Sequence, residues 1–325
     1  MTALNSQEKV RTAVVGVGYL GTFHAEKYAA LPDAELCAVV DTNPDQAAAV
    51  AQRLDVAALT DYRALLGQVD AVSVVVPTQN HFEVAKFFLE HKVHVLVDKP
   101  MTTTVVQAKQ LINAAKQNGC LLQVGHLERF NPAFTATRPL LYQPRFIESH
   151  RLAPFKPRGT DVNVVLDLMI HDIDLVLSIV SAPLSQISAI GVPVLTAGAD
   201  IANARLEFTN GCVANLTASR VSNKSERKLR IFQPNAYFSL DLQDKSMTVH
   251  RKQGNDDELQ ITVETQHYPQ ADALYLQLQA FLQAVQQDSA PEVTGEDGKQ
   301  ALAAAMQITT EIKQQANSVA ITGAQ

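Results

Sequence analysis

The feature that most constrains this chain is the stretch Thr12–Gly21, TAVVGVGYLG, followed by an acidic residue at Asp41. An apolar run (Val14, Val15, Val17) enters Gly16-x-Gly18-x-x-Gly21, and a helical segment starts at about Leu20. The three glycines serve a tight turn, backbone approach to a pyrophosphate, and close packing of helix on strand. The helix N-terminus adds free N–H groups and a partial positive charge. A glycine-rich turn alone carries little. Here it follows a strand, opens a helix and precedes a second strand, Ala34–Asp41, which ends in an acid roughly 20 residues on. That context is a dinucleotide site, with Gly16, Gly18, Tyr19, Leu20 and Gly21 as candidate cofactor contacts. Asp41, with Thr42 beside it, selects the cofactor. A carboxylate there accepts from both hydroxyls of the adenosine ribose and repels a 2′-phosphate, and Thr42-Asn43-Pro44 contains no Arg to neutralise one. NAD is favoured over NADP.

The first 125 or so residues alternate strand and helix. Apolar runs at 12–17, 35–41, 71–76, 93–97 and 121–124 read as buried parallel strands. Helical patterns fill 20–31, 44–54, 81–90 and 104–118. This alternation requires right-handed crossovers and an α/β Rossmann domain with a doubly wound parallel sheet, whose ligands bind at the carboxyl ends of the strands. Those ends carry Pro77-Thr78-Gln79-Asn80-His81, Asp98-Lys99-Pro100 and Gly125-His126-Leu127-Glu128-Arg129. Pro77, Thr78, Asn80, His81, Asp98 and Lys99 complete the candidate cofactor set.

Beyond about residue 150 the pattern changes. One helical segment, 164–180, precedes alternating strands at 187–194, 202–209, 212–221, 228–233, 236–242 and 246–251. Asn210-Gly211 is a strong hairpin signal between two of them. This predicts an α+β domain with an open-faced, mostly antiparallel sheet, and helices at 272–287 and 298–315 close the chain. The predicted domains are 1–126 and 127–325, with the closing helices free to pack back on the first. So few helices cover one face of that sheet, which predicts an apolar face joined to a second copy as a homodimer or homotetramer.

At 325 residues the chain can build two cores, and 46% hydrophobic with 18% charged residues is a globular profile. A net charge of −6 speaks against a general nucleic-acid surface. The N-terminal MTALNSQEKV lacks the apolar core of a signal peptide, and no apolar run is long enough for a membrane span. A cytoplasmic location is expected. The three cysteines are scattered, and Cys37 and Cys120 sit in apolar runs that suit buried free thiols.

Lys99 is the first candidate for chemistry. It directly follows an apolar strand at a ligand-binding edge, where partial desolvation disfavours its charged form. His171 is the second. In Asp167-Leu-Met-Ile-His171-Asp172-Ile-Asp174, positions 167, 171 and 174 share one face of an α-helix. A solvent-facing stripe and a His/Asp metal site compete with a general base oriented by a carboxylate, and no further ligand cluster favours a metal.

Together these residues resemble the Gfo/Idh/MocA oxidoreductase family. The resemblance rests on GVGYLG, on Asp98-Lys99-Pro100 as a form of E-K-P, on D-x-x-x-H-D at 167–172, and on Thr294-Gly-Glu-Asp-Gly298 as the turn before the last helix. It implies oxidation or reduction of one carbinol of a sugar or polyol, with substrate held between a Rossmann domain and an open-faced sheet. Asp98 replaces the usual Glu, and Asn163-Val164-Val165 stands where many members carry glycines. The runs 125–132 and 158–171 are similar to the nucleotide-sugar branch. That branch implies a UDP-sugar substrate, UDP-N-acetylglucosamine oxidised at its 3-hydroxyl, and an aminotransferase consuming the keto product in lipid A assembly. Lys99, Asp167 and His171 are then the catalytic set. Glu128, Arg129, Asn131 and Arg158 join them as substrate contacts, and Arg145, Arg151 and Lys156 add positive charge for a pyrophosphate. Whether Lys99 or His171 is the base stays open. Another alcohol, such as inositol or a free aldose, is the nearest alternative. A non-catalytic NAD sensor is the alternative of another class, and such a sensor needs no base.

Overall fold

In a computed structural model the described residues are 8–156, 162–254 and 260–322, with 317–322 described by backbone alone. They form two compact units. The first is Met1–Leu127 with Asp272–Lys299, and the second is Glu128–Ala271 with Gln300–Gln325.

The first unit runs β1 (Val10–Val15), α1 (Tyr19–Ala30), β2 (Ala34–Val40), α2 (Pro44–Leu54), β3 (Ala57–Leu59), β4 (Ala71–Val74), α3 (Thr78–Glu90), β5 (His94–Asp98), α4 (Val105–Asn118) and β6 (Leu122–Gly125). The strands form one parallel sheet in the order β3-β2-β1-β4-β5-β6. The order reverses between β1 and β4, the switch point at which such sheets bind ligands. The strand cores are apolar and buried, as helices on both faces require. Sequence reading supplied five of the six strands. β3 is three residues long with two of them exposed, too short for a hydrophobic period.

In the second unit α5 (Pro132–Thr137) precedes β7 (Phe146–Leu152). A π-helical turn, Val165–Met169, leads into α6 (Ile170–Ile179). Then come β8 (Leu184–Val192), β9 (Ile201–Phe208), β10 (Val213–Ser219), β11 (Glu226–Gln233), β12 (Ala236–Asp241), β13 (Ser246–Gln253) and β14 (Gln260–His267). They form an eight-stranded sheet in the order β14-β13-β12-β11-β7-β10-β9-β8. β7 and β10 pair in parallel and the other neighbours are antiparallel. Ile147, Leu216, Leu229, Ile231 and Phe238 face inward and share a core with Ile170, Ile173 and Val176 of α6.

The opposite face exposes apolar side chains toward its two edges, Ile190, Val192 and Ile201 at one and Ile261 and Val263 at the other. A cross-strand row of rings, Phe146–Phe232–Tyr237–His250, crosses it. Beside the rings Arg230 donates to Glu148 at 3.0 Å. Two strands escaped sequence reading. β7 turns Ser149 and Arg151 inward, which hides its period, and β14 is an exposed edge with little burial on either face.

α7 (Ala273–Gln287) and α8 (Gly295–Thr322) close the chain. α7 places Leu278, Phe281, Leu282 and Val285 in the core with Val10, Val14, Tyr28 and Leu96. This packing is why 272–299 belongs to the first unit, where a boundary at 126/127 would assign it to the second. Among the described residues no helix is long and apolar enough to cross a membrane.

Candidate active site

In the first unit the glycine turn is sterically closed on one side and open on the other. Gly16 has φ +88°, and a Cβ there would lie 2.7 Å from the Val75 carbonyl. At Gly21 a Cβ would lie 1.8 Å from the Gly16 carbonyl, so α1 can pack this close only without a side chain. A Cβ at Gly18 would meet nothing within 4 Å, and that is the side open to a ligand. No side chain caps α1, and Tyr19 and Leu20 are exposed on its first turn, where the positive end of the helix dipole favours an anion.

Asp41 is pinned in place. Its Oδ2 accepts from the Val17 N–H and its Oδ1 from the Asn43 N–H, both at 3.0 Å. Each oxygen keeps a lone pair for a ribose hydroxyl. Asp41, Thr42, Pro77 and Asn80 line one cavity with Gly16, and Thr78 opens α3 beside it. Thr60, Tyr62 and Glu83 line the same cavity and were not anticipated. Thr60 and Tyr62 follow the unread β3, and no motif marks Glu83. The open turn, uncapped helix and oriented carboxylate fit the pyrophosphate and ribose of NAD.

His81, expected at the cofactor, faces the interior instead. Its ring nitrogens lie 2.9 Å from the Pro100 carbonyl and 2.8 Å from the Val76 carbonyl, so it ties the segment after β4 to the turn after β5. That turn carries half-buried Asp98 and Lys99, joined to Pro100 through a cis peptide bond. A Cβ at position 125 would come within 3.0 Å of the Asp98 carboxylate, so Gly125 leaves it room. Nearby, burial lowers the His24 imidazole to about 4, and the charge of Asp98 opposes that only in part.

In the second unit Asn163 takes the place of the expected glycines as a cap. Its side-chain oxygen accepts from the N–H groups of Val165 and Leu166, both at 3.1 Å, and its amide donates to Thr309 at 3.2 Å. Asp167 sits within the π-helical turn and His171 in the first turn of α6, and both are half-buried. The expected single face through 167, 171 and 174 is corrected on two counts. The π-turn breaks the α-helical spacing before Ile170, and Asp174 is sunk in the interior.

Beneath α6 lies a lattice of buried charges. Arg129 donates from Nε and Nη2 to both oxygens of Asp174, at 2.7 and 2.9 Å. Arg151, on β7, donates likewise to Asp172 at 2.8 and 3.0 Å, and from Nη1 to Glu128 at 2.9 Å. Asn131 donates to Glu128 at 3.1 Å and to the Leu242 carbonyl at 2.8 Å. Burial alone would push the Glu128 carboxyl up, but Arg151 and Arg227 outweigh it and hold it below its ordinary value. Burial likewise opposes the charge on Arg151, and Asp172 and Glu128 override it to raise its pKa.

Glu128, Arg129 and Asn131, expected to contact substrate, are therefore built into the interior, no more than 6% exposed. The anticipated basic cluster disperses in the same way. Arg151 is consumed by the lattice, Arg145 reaches the Asn210 carbonyl at 3.4 Å, and Lys156 is exposed. Arg158 lies outside the described residues. Among the described residues no group of His, Cys, Asp and Glu could hold a metal ion. Cys37 is half-buried where full burial was expected, while Cys120 and Cys212 are buried, and all three are free.

The oxidoreductase-family profile for an NAD-binding Rossmann fold matches residues 10–126, and the same family's C-terminal alpha/beta domain matches residues 151–321. A UDP-N-acetylglucosamine 3-dehydrogenase of Acidithiobacillus ferrooxidans is 40% identical over 307 residues, covering 94% of this chain and 97% of that protein. A solved structure of that dehydrogenase superposes with a TM-score of 0.89 at 39% identity, covering 94% of this chain and 98% of the other. A scyllo-inositol 2-dehydrogenase (NAD(+)) of Bacillus subtilis is 27% identical over 90% of each chain. A levoglucosan dehydrogenase solved with NADH and levoglucosan shares the fold, with a TM-score of 0.85 at 17% identity over 94% of this chain and 98% of that one.

Proposed function

This chain belongs to the Gfo/Idh/MocA oxidoreductase family, and from that premise we propose that it oxidises the C3 hydroxyl of UDP-N-acetylglucosamine to the 3-keto nucleotide sugar. The observation that carries the reading is the 40% identity to a UDP-N-acetylglucosamine 3-dehydrogenase across 94% of this chain.

NAD, when bound, accepts the hydride from C3. The chain supplies the rest. Asp41 and the Gly16–Gly21 turn hold the cofactor. His171 takes the proton of the 3-hydroxyl, Lys99 holds that hydroxyl and stabilises the developing alkoxide, and Asp167 orients the base. An aminotransferase consumes the keto sugar. A second copy of the chain covers the ring-bearing face of the eight-stranded sheet, giving a dimer or tetramer, and a monomer in sedimentation at micromolar concentration would remove that part.

The test is NADH formation with UDP-N-acetylglucosamine, with glutamate and an aminotransferase present to draw the keto product away. Inositols and free N-acetylglucosamine serve as competitors. Turnover on an inositol with none on the UDP-sugar would overturn the substrate. Cofactor binding without turnover on any alcohol would favour a sensor.

A further inference from the structure

We infer that the charge lattice under α6 is a positioning device for the imidazole of His171, with Arg151 and Arg129 as its positioning residues. The inference rests on the reading of His171 as an acid–base group. Successive residues of an α-helix are turned by about 100°. Asp172 therefore stands about 100° to one side of His171, and Asp174 about 60° to the other. Each carboxylate is gripped side-on by a guanidinium fork through Nε and Nη2, which fixes a plane as well as a distance. The two forks come from different parts of the unit. Arg151 stands on β7, between two neighbouring strands, and Arg129 in the helical turn before α5. A helix held on both sides of one residue cannot roll about its axis, and that residue is His171.

Stability alone does not account for this arrangement. Glu128, Arg129, Arg151, Asp172 and Asp174 are all at most 6% exposed, and apolar side chains of similar volume would fill the space without the cost of stripping five charges of water. What apolar packing lacks is a fixed angle. The need for one is local. The π-turn changes the hydrogen-bond register of the helix ahead of Ile170, and the side grips on Asp172 and Asp174 fix the rotation of Ile170–Ile179 beyond that change.

The test removes both members of one grip, in the full-length chain with NAD, as Arg129→Met with Asp174→Leu. The melting temperature should hold or rise. The kcat on UDP-N-acetylglucosamine should fall by roughly 10–100-fold, the size expected when an acid–base group is misplaced by about an ångström. KM for NAD should be unchanged, and the isotope effect from deuterium at C3 should rise as chemistry becomes limiting. Arg129→Lys keeps the charge and loses the fork, and it should fall between the double variant and wild type.

A second readout needs no substrate. The ring resonances of His171 in the apo protein, assigned by their absence in His171→Asn, should shift in the double variant. Wild-type kcat, isotope effect and ring resonances in a folded double variant would overturn the inference. So would outright loss of the fold, which would make the lattice merely structural. If wild type shows no turnover on the UDP-sugar, the substrate reading fails, and the ring resonances still decide the positioning.

Discussion

The two units bring functional groups into place by opposite means. The first works with backbone: Gly16, Gly18 and Gly21 create room, the N-terminus of α1 supplies N–H groups, and even Asp41 is oriented by main-chain donors at Val17 and Asn43. The second works with buried side-chain charges that grip α6 from both flanks of His171. A backbone site leaves a short local signature, because only glycine tolerates the geometry. A charge lattice leaves almost none, since its members at 128, 129, 151, 172 and 174 meet only after folding.

The largest effect should come from separating the two roles. Lys99→Met and His171→Asn should each cut turnover by about 10²–10⁴-fold, some 3–5 kcal/mol in barrier, while NAD still binds through the first unit. If the two side chains act on one hydroxyl as a pair, the double variant should lose little more than either single one. Near-normal turnover in folded His171→Asn would break the comparison, because the second unit would then have no reacting group to aim.

Acid should separate the units next. The folded His24 titrates near 4 and its unfolded counterpart at 6.5, so between those values the unfolded chain binds a proton that the native one refuses. Stability should therefore fall as pH drops through that window, by up to about 3 kcal/mol at pH 4. Glu128 titrates below its ordinary value, so its contribution persists to lower pH. Hydrogen exchange should show the first unit loosening before the second, and His24→Leu should flatten the slope. An unchanged slope in that variant would place the acid-sensitive group elsewhere.

The smallest expected effect is on cofactor choice. Asp41→Ala with Thr42→Arg should cost NAD roughly 10–100-fold in affinity, the worth of hydrogen bonds to one charged group, and should improve NADP. Equal affinities for both cofactors in the unaltered protein would show that Asp41 does not discriminate between them.

The same division explains what the sequence disclosed. The parallel sheet, the Gly16–Gly21 turn and the order of the motifs were legible, because apolar runs and glycine spacing are local facts. β7 was not, since Ser149 and Arg151 occupy inward positions that read as polar. Arg129 looked like a cation for phosphate, and only the fold reveals that Asp174 claims it. Asn163 looked like a lost glycine and is a cap. His81 followed a strand end, where ligands bind, yet two carbonyls hold its ring. Residue type showed which side chains carry charge or chemistry. Which of them were already spoken for depended on contacts between residues 19 to 111 positions apart in the chain.

The docking of α7 also has a consequence for how the molecule is made. Leu278, Phe281, Leu282 and Val285 complete a core begun by Val10, Val14 and Tyr28, and the Val293 carbonyl accepts from Val124. Synthesis runs from the N-terminus at about 5–20 residues per second, so the nucleotide-binding unit waits on the order of ten seconds, with part of its apolar surface bare, while all of 128–271 is translated. Neither unit is complete until the closing helices are made, the first gaining its last piece with 272–299 and the second with the residues that follow. The ribosome delivers the aiming lattice before it delivers the final piece of the cradle.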